Sequence, residues 1–147
     1  MKDHALSLSV AYAIAPETAL RVYAHDLELV DDGAGGFEHQ KPSEIERRAV
    51  LIKSESEPLV GSASYARGLV EITVESDSDE DNSETHAQRV TAVADTMADL
   101  AKLQAGAAKV GELELLGKAC PTQTNPETVQ RAFSTVLSYR IGYKRTV

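Results

Sequence analysis

The sequence predicts an α+β fold: a mainly antiparallel sheet of about four strands with helices packed on one face. Three observations predict it. Val70, Ile72 and Val74 alternate with Glu71, Thr73 and Glu75, the period of a strand with one buried face. Between residues 83 and 103, Val90, Val93, Ala94, Met97, Leu100 and Ala101 fall on one helical stripe. The strand-like segments come in consecutive pairs, 49–52 with 70–75 and 110–116 with 129–143, and strands joined in this way pair antiparallel.

Taken in order, residues 4–30 read as helical, in one or two pieces. Leu6, Val10, Ala13 and Ile14 share a face, and Leu20, Tyr23, Ala24 and Leu27 repeat at i, i+3, i+4, i+7. Pro16 between them kinks one helix or starts a second, with Glu17 suited to the positive helix end. The alternative is a strand at 20–29. Residues 31–44, with Asp31-Asp32-Gly33-Ala34-Gly35-Gly36, read as a loop. Ala49-Val50-Leu51-Ile52 is a short apolar run suited to a buried strand. A polar connection at 54–67 leads to the strand at 70–75.

Ser76 to Glu84 is an acidic loop. Asp81 and Glu84 have capping-box spacing ahead of the helix, and Gly106 is placed to end it. Val110 to Leu116 reads as a strand and 117–126 as a loop. In the last run, Val129, Phe133, Leu137, Tyr139, Ile141 and Tyr143 share the odd face, which Arg131 and Thr135 interrupt. Fifteen strand residues reach about 50 Å, long for a small domain, so this strand is expected to be bent or bulged, or to run on to a partner. The whole chain, 1–147, is expected to form one domain, with a helical part at about 4–30 and the sheet and central helix at about 45–143.

A chain of this length buries about 70% of its unfolded surface, enough for a core without disulfides or metals. Apolar residues make up 42% and aromatics only 5%, so that core is aliphatic. The formal charge of −8 disfavours a protein that grips nucleic-acid phosphates or an anionic membrane. The one local basic candidate is the tail, Arg140, Lys144 and Arg145. A single cysteine, Cys120, allows no internal disulfide and fits a reducing compartment. No charged-then-apolar leader and no membrane-length apolar run stands in the sequence, so a soluble protein that stays where it is made is expected.

Sites of chemistry are not legible. Asp77, Asp79 and Asp81 alternate as in a calcium loop, but the sixth position is Asn82 rather than Gly and the twelfth is Gln88 rather than Glu. A solvated, self-repelling loop is the simpler reading. His4, His25, His39 and His86 lack metal-ligand spacing, and Cys120 has no base placed by sequence. Gly33-Ala34-Gly35-Gly36 is not set between a strand and a helix as a dinucleotide loop would be. No nucleophile elbow surrounds any serine. A non-enzymatic protein without metal or cofactor is therefore expected, built to meet other proteins. Leu59, Val60 and Tyr65 in the long connection are candidate subunit contacts. So are Tyr139 and Tyr143 in the last strand, unless they belong to the core.

Arg47-Arg48-Ala49-Val50-Leu51-Ile52, then Leu69-Val70-Glu71-Ile72-Thr73-Val74-Glu75-Ser76, then Glu84-Thr85-His86-Ala87 and its helix, form a recognisable series. With Phe133-Ser134-Thr135-Val136-Leu137-Ser138-Tyr139 it resembles the small neck and tail-completion proteins of long-tailed bacteriophages, the tail terminators in particular, over about residues 45–143. The resemblance implies a virion protein, assembled in the host cytoplasm, that forms a ring, commonly a hexamer. Such a ring caps the tail tube and joins it to the head connector, and DNA passes its lumen without tight binding. It further implies a lumen lined by Asp77, Asp79, Glu80 and Asp81, since a negative wall does not hold phosphates.

Overall fold

The computed structural model describes residues 4–44, 48–58, 65–77, 83–99, 103, 108–119, 122–124 and 131–145. Helix α1 (His4–Ile14) continues into a 3-10 turn (Ala15–Glu17) that carries Pro16 at its start. Strands β1 (Arg21–Ala24), β2 (Leu27–Asp31), β3 (Phe37–Gln40), β4 (Ala49–Pro58) and β5 (Tyr65–Asp77) follow. Then come helix α2 (Ser83–Ala98) and strands β6 (Ala108–Ala119), β7 (Thr122–Thr124) and β8 (Arg131–Arg145). Seven strands stand in the order β3-β2-β1-β4-β5-β8-β6, and the short β7 also pairs β8. All pairings are antiparallel except β1 with β4. Both helices pack on the sheet and touch each other, so they share its face.

The fold class holds, but the sheet is twice the expected size. The four anticipated strands form its β4-β5-β8-β6 half. The other half comes from segments that read as helix or loop. Residues 21–31 are a β1–β2 hairpin rather than a second helix. Val22, Tyr23 and Ala24 are all buried, because β1 lies between two strands and is covered on both faces. A strand buried on both faces loses its alternation, and its apolar residues then also satisfy a helical period. His25 and Asp26 make the two-residue turn, with His25 at φ 54°. Two hydrogen bonds to β4 hold that left-handed residue. His25 N–H donates to the Ile52 carbonyl (2.9 Å), and Ser54 N–H donates to His25 Nε2 (3.2 Å).

The segment 31–44 is likewise not a plain loop, since β3 occupies 37–40 and pairs β2. The turn between them rests on Asp32. Its Oδ1 accepts the N–H groups of Ala34 (2.8 Å) and Gly36 (3.0 Å), while Gly33 and Gly35 take φ of 78° and 87°. Those two bonds hold the Asp32 carboxyl below its ordinary value of 3.8. A carboxylate favoured in the folded turn steadies it above that value, and the effect is lost as pH falls through the lower, folded value. Acid titration followed by NMR should therefore show the Asp32 carboxyl titrating below an unstructured aspartate. The Ala34 and Gly36 amide shifts should move in the same step.

The expected polar connection at 54–67 is mostly strand: β4 and β5 stay paired out to Pro58↔Ala66. The expected loop at 117–126 contains the end of β6 and all of β7. The last strand is as long as anticipated, but it lies inside the sheet, paired along β5 on one side and β6 and β7 on the other. Its length is used within the subunit, and the edge addition expected there is not open to it. The outermost strands are β3 and β6.

The core fills the face under the helices. From β5 it takes Ala66, Val70, Ile72 and Val74, and from β8 Leu137, Tyr139, Ile141 and Tyr143. Large residues face small ones across the ladder: Tyr143 is paired with Ala66, and Ile141 with Gly68. α1 carries no charged side chain after His4, and even Ser7 and Ser9 are buried. A helix apolar on all sides must be enclosed on several. It is, by β1, β4, β6, α2 and the 3-10 turn. Its Leu6 reaches β5 and β8 beside Gly68 and Tyr143, whereas Tyr12 reaches β3, so it runs obliquely across the strands. α2 buries Val90, Val93 and Met97, as its stripe predicts. Its cap at Asp81 lies outside the described residues, and the helix ends at Ala98, short of the expected 103 and of the stop at Gly106, which also lies outside them.

Candidate functional site

Two arrangements have functional potential: a polar cluster under α2 and the sheet face that the helices leave open. In the cluster, His86 projects from the first turns of α2 onto the sheet. It is 8% exposed. Its Nδ1 lies 2.8 Å from Ser76 Oγ on β5 and its Nε2 2.8 Å from Thr135 Oγ1 on β8. Arg89, one helical turn on, donates to the same Ser76 oxygen at 3.0 Å. The Phe133 ring stacks on the imidazole, centroids 5.7 Å apart. Thr135, which interrupts the apolar face of β8, is thus explained by the ring nitrogen it meets. An imidazole between two hydroxyls suggests nucleophilic catalysis. Ser76 and Thr135 are each 2% exposed, and His86, Phe133 and Thr135 border a small cavity of about 140 Å³ together with Lys118. The cluster pins α2 to two strands by buried hydrogen bonds.

The other histidines are dispersed. His25 holds the β1–β2 turn, and His39 on β3 bonds the Tyr12 hydroxyl through Nδ1 (2.9 Å). His4 begins α1. Among the described residues, no group of three or more His, Cys, Asp or Glu side chains is arranged to hold a metal ion. No described helix is long and apolar enough to cross a membrane. Cys120 lies outside the described residues.

The second arrangement is the face of β4, β5, β8 and β6 turned away from the helices. Cross-strand register places Lys53, Glu71 and Ser138 in one row and Glu55, Leu69, Arg140 and Glu114 in the next. Arg140 and Glu114 approach to 3.8 Å, both side chains more than half exposed. Such a pair contributes little to stability. Leu69 is 51% exposed in the middle of this face. Leu116, at the irregularity where β6 shifts register between Leu115 and Gly117, is 44% exposed. With Lys53, Glu55, Glu71 and Ser138 they line a groove of about 730 Å³. Tyr139 forms part of its lining from below, its phenol pushed above the usual value by burial.

The anticipated contact residues fare unevenly. Tyr139 and Tyr143 are core residues, 4% and 0% exposed, and anchor no outside contact. The odd positions of β8 turn under the helices, and nothing of Tyr143 reaches the surface. Tyr65 starts β5, opposite Lys144. Leu59 and Val60 lie outside the described residues. Asp77 ends β5, opposite Ala132, while Asp79, Glu80 and Asp81 lie outside the described residues. The sequence marks the exposed leucines in two places. Leu69 shares the parity of Glu71, Thr73 and Glu75, the solvent side of that strand. Leu115-Leu116 breaks the alternation of β6, as a bulge does.

Neither a protein-family model nor a curated protein sequence matches the chain.

Proposed function

We propose that this chain is a non-enzymatic structural protein, and specifically a ring-forming tail terminator in the neck of a long-tailed phage, joining the tail tube to the head connector. One observation supports a role among neighbouring proteins above others. Among the described residues, long paired strands carry helices on one face only, and the other face presents exposed leucines among charged residues to solvent. Uncovered apolar surface of this kind marks contact with another protein. The phage assignment rests on the series of residues between 45 and 143 that resembles tail terminators. In that reading the acidic run Asp77, Asp79, Glu80 and Asp81 faces the lumen and lets DNA slide past without holding it.

Electron microscopy and native mass measurement test the proposal, on the purified chain alone and mixed with tail tubes that lack their terminator. Closed rings, free or seated on tube ends, are expected. A chain that forms no ring and leaves tube ends bare sinks the proposal. Tight one-to-one capture of a single soluble protein instead would favour a small binding module, such as an assembly chaperone.

A further inference from the structure

We infer that the open sheet face centred on Leu69 and Leu116 is where a second copy of this chain docks. The inference rests on the self-assembling reading above and names the surface it uses. The argument is one of charge. The chain carries −8 overall, so two copies repel over most of their surface. Among the described residues, the exposed charged side chains that β4, β5, β8 and β6 turn to this face are balanced, with Lys53, Arg67 and Arg140 against Glu55, Glu71 and Glu114. Among the described residues, exposed Asp26, which lines the groove, and half-buried Glu75 add two anions at its margins. Most of the −8 therefore lies elsewhere, and an approach through this face avoids that larger share.

The signs also alternate rather than segregate. Lys53 lies beside Glu71, and Leu69 is flanked by Glu55 and Arg140. A copy of the same chain can answer such a pattern with cations for its anions and anions for its cations. A strongly basic or acidic partner cannot. At the centre, Leu69 and Leu116 supply the apolar contact, and the charges form a polar rim, the usual anatomy of a protein interface. Both leucines are about half exposed in the single subunit, so burying them removes apolar surface that folding has left in water.

The test is the oligomeric mass of the intact chain by sedimentation velocity, from micromolar to millimolar concentration. Wild type is compared with the double variant Leu69→Ser/Leu116→Ser. Because both side chains project from the fold, the variant should melt with wild type. If it melts lower, the single Leu116→Ser change on the outermost strand is read instead. The expected result is weaker association by about thirty-fold for each leucine lost. A variant that assembles as wild type does overturns the inference while leaving the self-assembling reading in place. A wild-type chain that stays monomeric throughout, and also on tail tubes, overturns both.

Discussion

Replacing Gly68 by valine should cost about 3 kcal/mol of folding stability, read as a lower urea midpoint at an unchanged m-value. Gly68 sits on the core side of β5, paired with Ser56 on one side and Ile141 on the other. A Cβ built there would lie 2.8 Å from the Glu55 carbonyl oxygen, 3.1 Å from Leu6 Cδ2 and 3.3 Å from Tyr143 Cε1. These contacts differ in how far they can yield. The leucine methyl belongs to a side chain on α1 and can shift. The carbonyl belongs to the backbone of β4, between Ser54 and Ser56, which both pair with β5, and cannot move without disturbing the ladder. Gly68→Ala should therefore already cost about 1–2 kcal/mol, and valine adds branching against Tyr143. Adding Leu6→Ala to Gly68→Ala should recover part of the overlap but not all, giving a measurable coupling between the two sites. An alanine variant as stable as wild type would show that the strand has room there and would refute the account.

The same position shows why the sequence reads as it does around β5. Val70, Ile72 and Val74 announce a strand because each is a large apolar side chain that fills the core. Ala66 and Gly68 continue the same face but are small, because Leu6 and Tyr143 come down onto them. Small residues carry no hydrophobic periodicity. The apolar alternation therefore starts only at residue 70 in sequence, while the ladder runs back to Tyr65. β1 fails for the opposite reason. Val22, Tyr23 and Ala24 are all buried, and an unbroken apolar run has no period to read. β3 fails because Glu38, His39 and Gln40 are exposed at the margin of the sheet, where nothing requires an apolar side chain. Strands with one wet and one dry face were thus legible, and strands with two similar faces were not.

The candidate surface was less legible than the core, because it depends on which strands become neighbours. Tyr139 and Tyr143 look like interface anchors in a long alternating strand whose neighbours are unknown. Once β5 and β6 flank that strand, its odd face belongs to the core. Leu69 looks like one more core leucine until register places it between Glu55 and Arg140 on the outer side. The His86 cluster is also assembled from afar, with Ser76 ten residues before it and Thr135 forty-nine after. Thr135 was visible beforehand only as an interruption of an apolar face. Its partner could not be read from spacing.

Tyr143→Ala should lower stability by about 3–5 kcal/mol, the range for emptying a large aromatic site in a core. In a chain of this size that corresponds to roughly 10 °C in Tm. The ring is 0% exposed, opposite Ala66 and against Gly68 on β5. Its neighbours there are already the smallest residues available, so they offer no side chain to close the cavity. Tyr143→Phe keeps the ring and should cost only about 1 kcal/mol, the usual net value of a hydrogen bond. The pair of variants separates two roles that this tyrosine has in sequence. An interface anchor would lose association on truncation and keep its fold. A core residue should lose stability first, in dilute and concentrated samples alike, with Tyr143→Phe assembling as wild type does. If Tyr143→Ala melted with wild type yet failed to assemble, the side chain would have to face a partner, and the packing of α1 across β5 and β8 described above would be wrong.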